Sequence, residues 1–167
     1  DHEQALPEQY ATLFREIEKR FPSSKIKELA SVMYHADRVF VAGFHYSSVS
    51  AMLFNYHLEE LRYTTSHLPY DEAFKLDAFA RKNDVVIIFS VHSETYRELV
   101  KNLKAMGNSC PHLVLFCMDP KHILRSKVDY SFVLPDAHTL GYGHYLDLNM
   151  TFSYFTNKVF HELKAKD

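Results

Sequence analysis

Five apolar residues, Val85 to Phe89, run straight into a polar turn, Ser90-Val91-His92-Ser93-Glu94-Thr95, and then into a helical pattern. This stretch constrains the fold more than any other. A continuous apolar run closed by turn residues reads as a strand buried on both faces. Beyond the turn, Tyr96, Leu99, Val100 and Leu103 recur at the spacing of one helical face. A buried strand feeding a helix through a Ser/Thr turn places unpaired N–H groups and hydroxyls at a helix N-terminus. The helix dipole favours an anion there.

The arrangement occurs twice. Val39-Phe40-Val41-Ala42 reads as a strand, Gly43-Phe44-His45-Tyr46-Ser47-Ser48 as a turn, and a helix follows from about Val49. Each turn carries a His and paired serines. Either turn alone is equally a place where serines simply cap helices. Two such turns in one parallel sheet favour a site, because neighbouring strand ends open into one crevice.

The remaining elements follow from periodicity. A helix over about Pro7 to Phe21 has Tyr10, Leu13, Phe14, Ile17 and Phe21 on one face, and a second carries Ile26, Leu29, Ala30 and Met33. The helix of about Ser48 to Arg62 is expected to bury Val49, Met52, Leu53 and Tyr56. Thr64 to Leu68 is a weak strand candidate, and Asp71 to Arg81 a short helix supporting Phe74, Leu76 and Phe79. Gly107-Asn108 is a helix stop. Leu113 to Cys117 and Asp129 to Leu134 are further strands, with a helical turn over Lys121 to Ser126 between them. A loop with Asp136, His138 and Gly141-Tyr142-Gly143 precedes a last helix, about His144 to Leu163, with Leu148, Phe152, Phe155, Val159 and Leu163 on one face. Strands alternating with helices imply an α/β fold around a parallel sheet, with right-handed crossovers.

Composition removes several function classes. With 47% apolar and 24% charged residues, the 167-residue chain suits one globular domain with a sizeable core. Net charge is −2 and no Lys/Arg run forms a nucleic-acid patch, so the chain is not expected to hold DNA or RNA itself. No apolar run approaches a membrane span, and no signal peptide is evident. Cys110 and Cys117 lack CxxC spacing and read as two reduced thiols of a cytoplasmic protein. Eleven His include no HExxH-type pair, so no structural metal and no cofactor are expected. The chain opens on Asp1 rather than Met, which suggests a fragment of a longer protein.

These marks resemble the SIS (sugar isomerase) domain, in particular the C-terminal effector domain of RpiR/MurR-type transcriptional regulators. The marks are Val41-Ala42-Gly43 with Ser47 and Ala51, then Asp84-Val85-Val86-Ile87-Ile88-Phe89-Ser90 with Ser93 and Thr95, then Asp129 and Pro135 flanking the last strand. Order and spacing agree from about Ile26 to Leu163. The resemblance implies a flavodoxin-like three-layer sandwich with a parallel sheet of about five strands, plus N-terminal helices. It divides the chain into a linker helix at 1–24, leading from a helix-turn-helix outside this sequence, and the SIS domain at 25–167. Two departures stand out. His45 occupies the place of the second glycine in the family's first loop, and His92-Ser93 the place of Ser-Gly in its second.

In such domains the two loops hold a phosphosugar. The implied binding set here is Gly43, His45, Ser47, Ser48, Ser90, His92, Ser93 and Thr95, with phosphate on Ser47, Ser90, Ser93 and Thr95. The two histidines either contact the ligand or fill the space it needs. The expected ligand is a phosphorylated sugar or amino sugar, and the expected assembly a homodimer or higher homo-oligomer. The leading reading is a non-catalytic, cytoplasmic sensing domain with no catalytic residues, reaching DNA only through an absent N-terminal domain. The alternative is an aldose–ketose phosphosugar isomerase, for which Glu59, Glu60 and His144 are the acid–base candidates. A third is a dimerisation domain with a dead pocket.

Overall fold

The computed structural model describes residues 5–137 and 146–166. Its elements are α1 (Leu6–Arg20), α2 (Ser23–Tyr34), β1 (Val39–Gly43), α3 (Tyr46–Glu60), β2 (Thr65–Leu68), α4 (Tyr70–Ala73), β3 (Val85–Phe89), α5 (Arg97–Lys104), β4 (His112–Cys117), β5 (Tyr130–Val133) and α6 (Leu148–Lys164). The five strands form one parallel sheet in the order β2-β1-β3-β4-β5. This is the α/β three-layer sandwich that the strand and helix pattern implies.

Strand alternation distributes the core between two faces. Val39, Val41, Val85, Ile87, Phe89, Val114, Phe116 and Phe132 point to the layer of α1, α2, α3 and α6. Phe40, Ala42, Val86, Ile88, Leu113 and Leu115 point to the layer of α4 and α5. Both faces are covered, so β1 and β3 are buried at every residue, as continuous apolar runs require. Tyr96, Leu99, Val100 and Leu103 are fully buried, as their spacing predicts. Each such aliphatic side chain contributes about 1.5–3 kcal/mol by leaving water.

The N-terminal strand ends are locked by charge. Asp84, buried at the foot of β3, accepts two bonds from the Arg38 guanidinium, at 3.1 and 2.7 Å, and one from the Arg81 backbone N–H at 2.8 Å. Arg38 also donates to the Phe79 carbonyl. Asp129 accepts from the Leu113 N–H at 2.8 Å. Both aspartates that carried the family resemblance therefore serve the edge opposite the candidate site.

Three expectations change. Val49, Met52, Leu53 and Tyr56 are exposed, and α3 instead buries Ser47, Ser50, Ala51, Phe54, Asn55 and Leu58. The inward polar groups have partners: Ser50 donates to the Asn149 side chain, and Asn55 accepts from Thr65 and donates to Glu59. Small, satisfied residues let α3 lie close on β1. The expected 71–81 helix is split into α4 and a 3-10 turn over Leu76–Ala78, and Leu76 is buried while Phe79 is 40% exposed. The chain turns there so that Arg81 reaches Asp84. The Lys121–Ser126 turn is a 3-10 turn over Arg125–Lys127. The last helix is observed from Leu148, with Asp147 capping it by accepting the Asn149 N–H. His138, Gly141-Tyr142-Gly143 and the expected helix start at His144 lie outside the described residues.

Candidate functional site

The helix after β1 packs on one face of the sheet and the helix after β3 on the other. The C-terminal ends of these adjacent strands are thus the switch point, where open α/β sheets form their crevice.

Gly43 closes β1. A Cβ there would lie 2.5 Å from the Ser47 carbonyl oxygen, so only glycine admits α3 at this distance. His45 follows with φ 56° and ψ −122°, a backbone that favours glycine. The motif expects glycine at this position, and the histidine adopts the glycine's conformation rather than reshaping the loop. Such a residue stores on the order of 1–3 kcal/mol. No side chain caps α3. Ser48 donates back to the His45 carbonyl at 2.6 Å. Ser47 is 6% exposed, and its hydroxyl makes no hydrogen bond among the described residues.

The β3 loop is more tightly wired. Ser90 is buried and lies 2.9 Å from His122 Nε2. The Leu124 N–H donates to His122 Nδ1 at 3.1 Å, so Nδ1 is an acceptor and Nε2 carries the proton. His122 therefore donates to Ser90, and Ser90 donates to the Ser93 carbonyl at 3.1 Å. Burial holds the His122 pKa below its ordinary value, with Asp119 opposing and His92 reinforcing that effect. Ser93 Oγ pairs with the Thr95 hydroxyl and accepts the Thr95 N–H, a local turn bond. His92 Nε2 lies 3.2 Å from Asp136 Oδ2 and Nδ1 3.9 Å from Asp119 Oδ2, which ties the ends of β3, β4 and β5 whenever the imidazole is charged.

Together these loops border an open cavity of about 410 Å³, lined by Phe44, His45, Tyr46, Ser47, Phe89, Ser90, Val91, His92, Ser93, Thr95, Tyr96 and Leu148. Six of the eight expected binding residues line it. Gly43 and Ser48 do not; they shape the turn. No Lys or Arg is among the lining residues. An anion would be held by hydroxyls, N–H groups and imidazoles. Periodicity alone missed His122, Asp119 and the aromatic wall of Phe44 and Tyr46. The rule that loops follow every strand's C-terminal end would have pointed to His122. Tyr96 reads as core, yet its buried hydroxyl has no partner among the described residues. Glu59 and Glu60 sit at the far end of α3, roughly 20 Å from His45 at 1.5 Å per residue, and do not line the cavity. His144 lies outside the described residues. A second hollow of similar volume lies between α1 and α6, but its Glu18 is already bonded by Tyr154 at 2.9 Å and Lys158 at 2.6 Å.

The SIS domain model matches residues 32–148. An uncharacterised HTH-type transcriptional regulator of Clostridium perfringens is 24% identical over 109 residues, 65% of this chain. The chain spans only 39% of that relative's length. Among solved structures, Vibrio vulnificus NanR complexed with ManNAc-6P superposes with a TM-score of 0.81 at 10% identity, over 96% of this chain and 61% of that one. The sugar isomerase domain of an RpiR transcription factor from Sphaerobacter thermophilus gives 0.77 at 21% identity, over 98% and 92%. A Methanococcus jannaschii protein with an inferred 3-hexulose-6-phosphate isomerase function gives 0.71 at 14%, over 93% and 87%. Regulators and isomerases thus share this fold. As the family model covers well over half of the sequence, this chain belongs to the SIS domain family.

Proposed function

We propose that this chain is the phosphosugar-sensing domain of an RpiR-type transcriptional regulator. It acts in the cytoplasm as a homodimer and performs no chemistry. The observation that carries this reading is the cavity at the β1/β3 switch point, lined by the hydroxyl of Ser47, which has no hydrogen bond among the described residues, and by the wired hydroxyl of Ser90. A phosphate would take its hydrogen bonds from Ser47, Ser90 and Thr95, and His45 and His92 would add charge-assisted bonds when protonated. Ser90 would turn its O–H from the Ser93 carbonyl to the phosphate while His122 keeps donating to its oxygen. DNA would be read by a helix-turn-helix outside this chain, with residues 1–24 as the link and 25–167 as the sensing domain. The regulator relative, of which this chain spans only a part, supports that arrangement.

The non-catalytic reading gains support from the position of Glu59 and Glu60, which lie outside the cavity of their own chain. Isomerase-like structures with the same fold keep the enzyme as the second reading. The test is thermal denaturation across sugar phosphates, amino-sugar phosphates and inorganic phosphate, with a turnover assay on each compound. A specific ligand at a hundred times its Kd should add about 2.7 kcal/mol, a shift of several degrees. A shift without conversion is expected. Conversion abolished by Glu60→Gln or His92→Ala would make the domain an isomerase. No shift with any compound would mean that the histidines have closed the pocket.

A further inference from the structure

Tyr96 is fully buried at the N-terminal cap of α5, directly after Thr95. Its hydroxyl has no hydrogen-bond partner among the described residues. A buried hydroxyl left unpaired costs stability, and phenylalanine would fill the same space without that cost. Packing accounts for the ring, which stacks on Phe74 at 6.1 Å and meets Tyr70 at 6.0 Å, and leaves the oxygen unexplained. Burial holds the phenol well above its ordinary pKa, so it stays a neutral O–H donor. Tyr96 also lines the cavity between the β1 and β3 loops. The hydroxyls and imidazoles of those loops are the polar part of the lining; the rest is Phe44, Phe89, Val91, Leu148 and the two tyrosine rings.

We propose that Tyr96 is a specificity-determining residue of this cavity: its hydroxyl donates to the acyl carbonyl oxygen of an N-acylated amino-sugar phosphate. This rests on the sensing reading above and names the class of sugar. With the phosphate on Ser90 and Thr95, the sugar end of the ligand meets the apolar part of the lining. A polyhydroxylated edge or a free ammonium group placed there would give up water for few partners. An acyl group suits the wall, since its methyl is apolar and its carbonyl takes the donor that Tyr96 offers. The oxygen is sealed from solvent in the free protein, but the next rings of the cluster lie at the surface. Tyr70 and Phe44, in contact at 4.7 Å, are 38% and 45% exposed. A ligand entering between the loops displaces those rings and pairs the hydroxyl.

Calorimetric titration of wild type and Tyr96→Phe tests it. The probes are N-acetylglucosamine and N-acetylmannosamine 6-phosphates, their free amines, glucose 6-phosphate and inorganic phosphate. At least one N-acetyl compound should bind wild type tenfold or more tighter than its free amine. Tyr96→Phe should lose about tenfold on that compound, the loss of one neutral hydrogen bond, and no more than about twofold on glucose 6-phosphate. The ligand-free Tyr96→Phe protein should melt about 2–4 °C higher, because it no longer buries an unpaired hydroxyl. A melting point that does not rise would show the hydroxyl already bonded in the free protein and overturn the proposal. So would a preference for the free amines or for glucose 6-phosphate, or N-acetyl binding indifferent to Tyr96→Phe. Each of these leaves the sensing reading standing. Binding of none of the compounds would remove the sensing reading, and the role of Tyr96 with it.

Discussion

Single residues carry much of this site's character. His45 occupies a backbone conformation suited to glycine, so His45→Gly should release strain that exceeds the entropy glycine adds to the unfolded chain. The expected gain is about 1 kcal/mol, seen as a rise in Tm of roughly 2–4 °C for a domain of this size. A fall in Tm would show that the imidazole makes up for its backbone. Gly43→Ala should act the other way. Its Cβ would press on backbone at 2.5 Å, and a loss of about 1–3 kcal/mol or more is expected in urea denaturation. His122 gives a pH signature. Its folded pKa lies below that of the unfolded chain, so above about pH 6.5 both states are neutral and pH has no effect. As pH falls below that, the unfolded state binds the proton first and stability drops. Half-buried His67 contributes in the same direction. His122→Gln should make the fall in Tm between neutral pH and mild acid shallower; an unchanged slope would remove His122 as a buried neutral group. These residues were only partly legible from sequence. The serines and histidines of the two turns stood out because they break apolar runs. His122 did not, since its role depends on a hydroxyl and an N–H that folding brings to its ring.

At the scale of elements, the fold could be read where periodicity was unambiguous. The apolar runs at Val85–Phe89 and Leu113–Cys117 admit little besides buried strands, and the α5 face was correct at each position. α3 was read inside out. Its apolar positions Val49, Met52, Leu53 and Tyr56 form a proper helical stripe, but the core takes Ser50, Ala51, Phe54, Asn55 and Leu58 instead. Periodicity shows that a stripe exists and leaves open whether its own core or a partner covers it. The deciding information is long-range: Asn149 reaches Ser50, and Thr65 reaches Asn55. The ion pair at the sheet's opposite edge is likewise a tertiary fact. Asp84→Ala should remove the bidentate acceptor of Arg38 and the partner of the Arg81 N–H, at a cost of about 2–4 kcal/mol. Ligand affinity should be unchanged, since this pair sits at the far end of the strands. A stability loss below about 0.5 kcal/mol in denaturant would show that the pair does not lock β1 to β3.

For the whole molecule, one helix links the cavity to the protein's outer surface. The N-terminal end of α3 borders the cavity, and its outer face is apolar and exposed. A ligand that binds one dimer geometry better than another would shift the geometry by that difference in affinity and by no more. Dimer affinity and ligand affinity should then be linked: the effector should tighten the proposed homodimer by the same factor by which the dimer binds it better than the monomer does. Equal affinity in monomer and dimer would separate binding from association.

The central claim is that the cavity between the β1 and β3 loops holds a sugar phosphate. The most direct measurement is calorimetric titration of the strongest compound from the thermal panel into wild type, Ser47→Ala and Ser90→Ala. Each substitution should weaken binding by about tenfold to a hundredfold, the loss of one charge-assisted hydrogen bond, with circular dichroism unchanged. Wild-type affinity in both variants would place the ligand elsewhere on the chain and contradict the account.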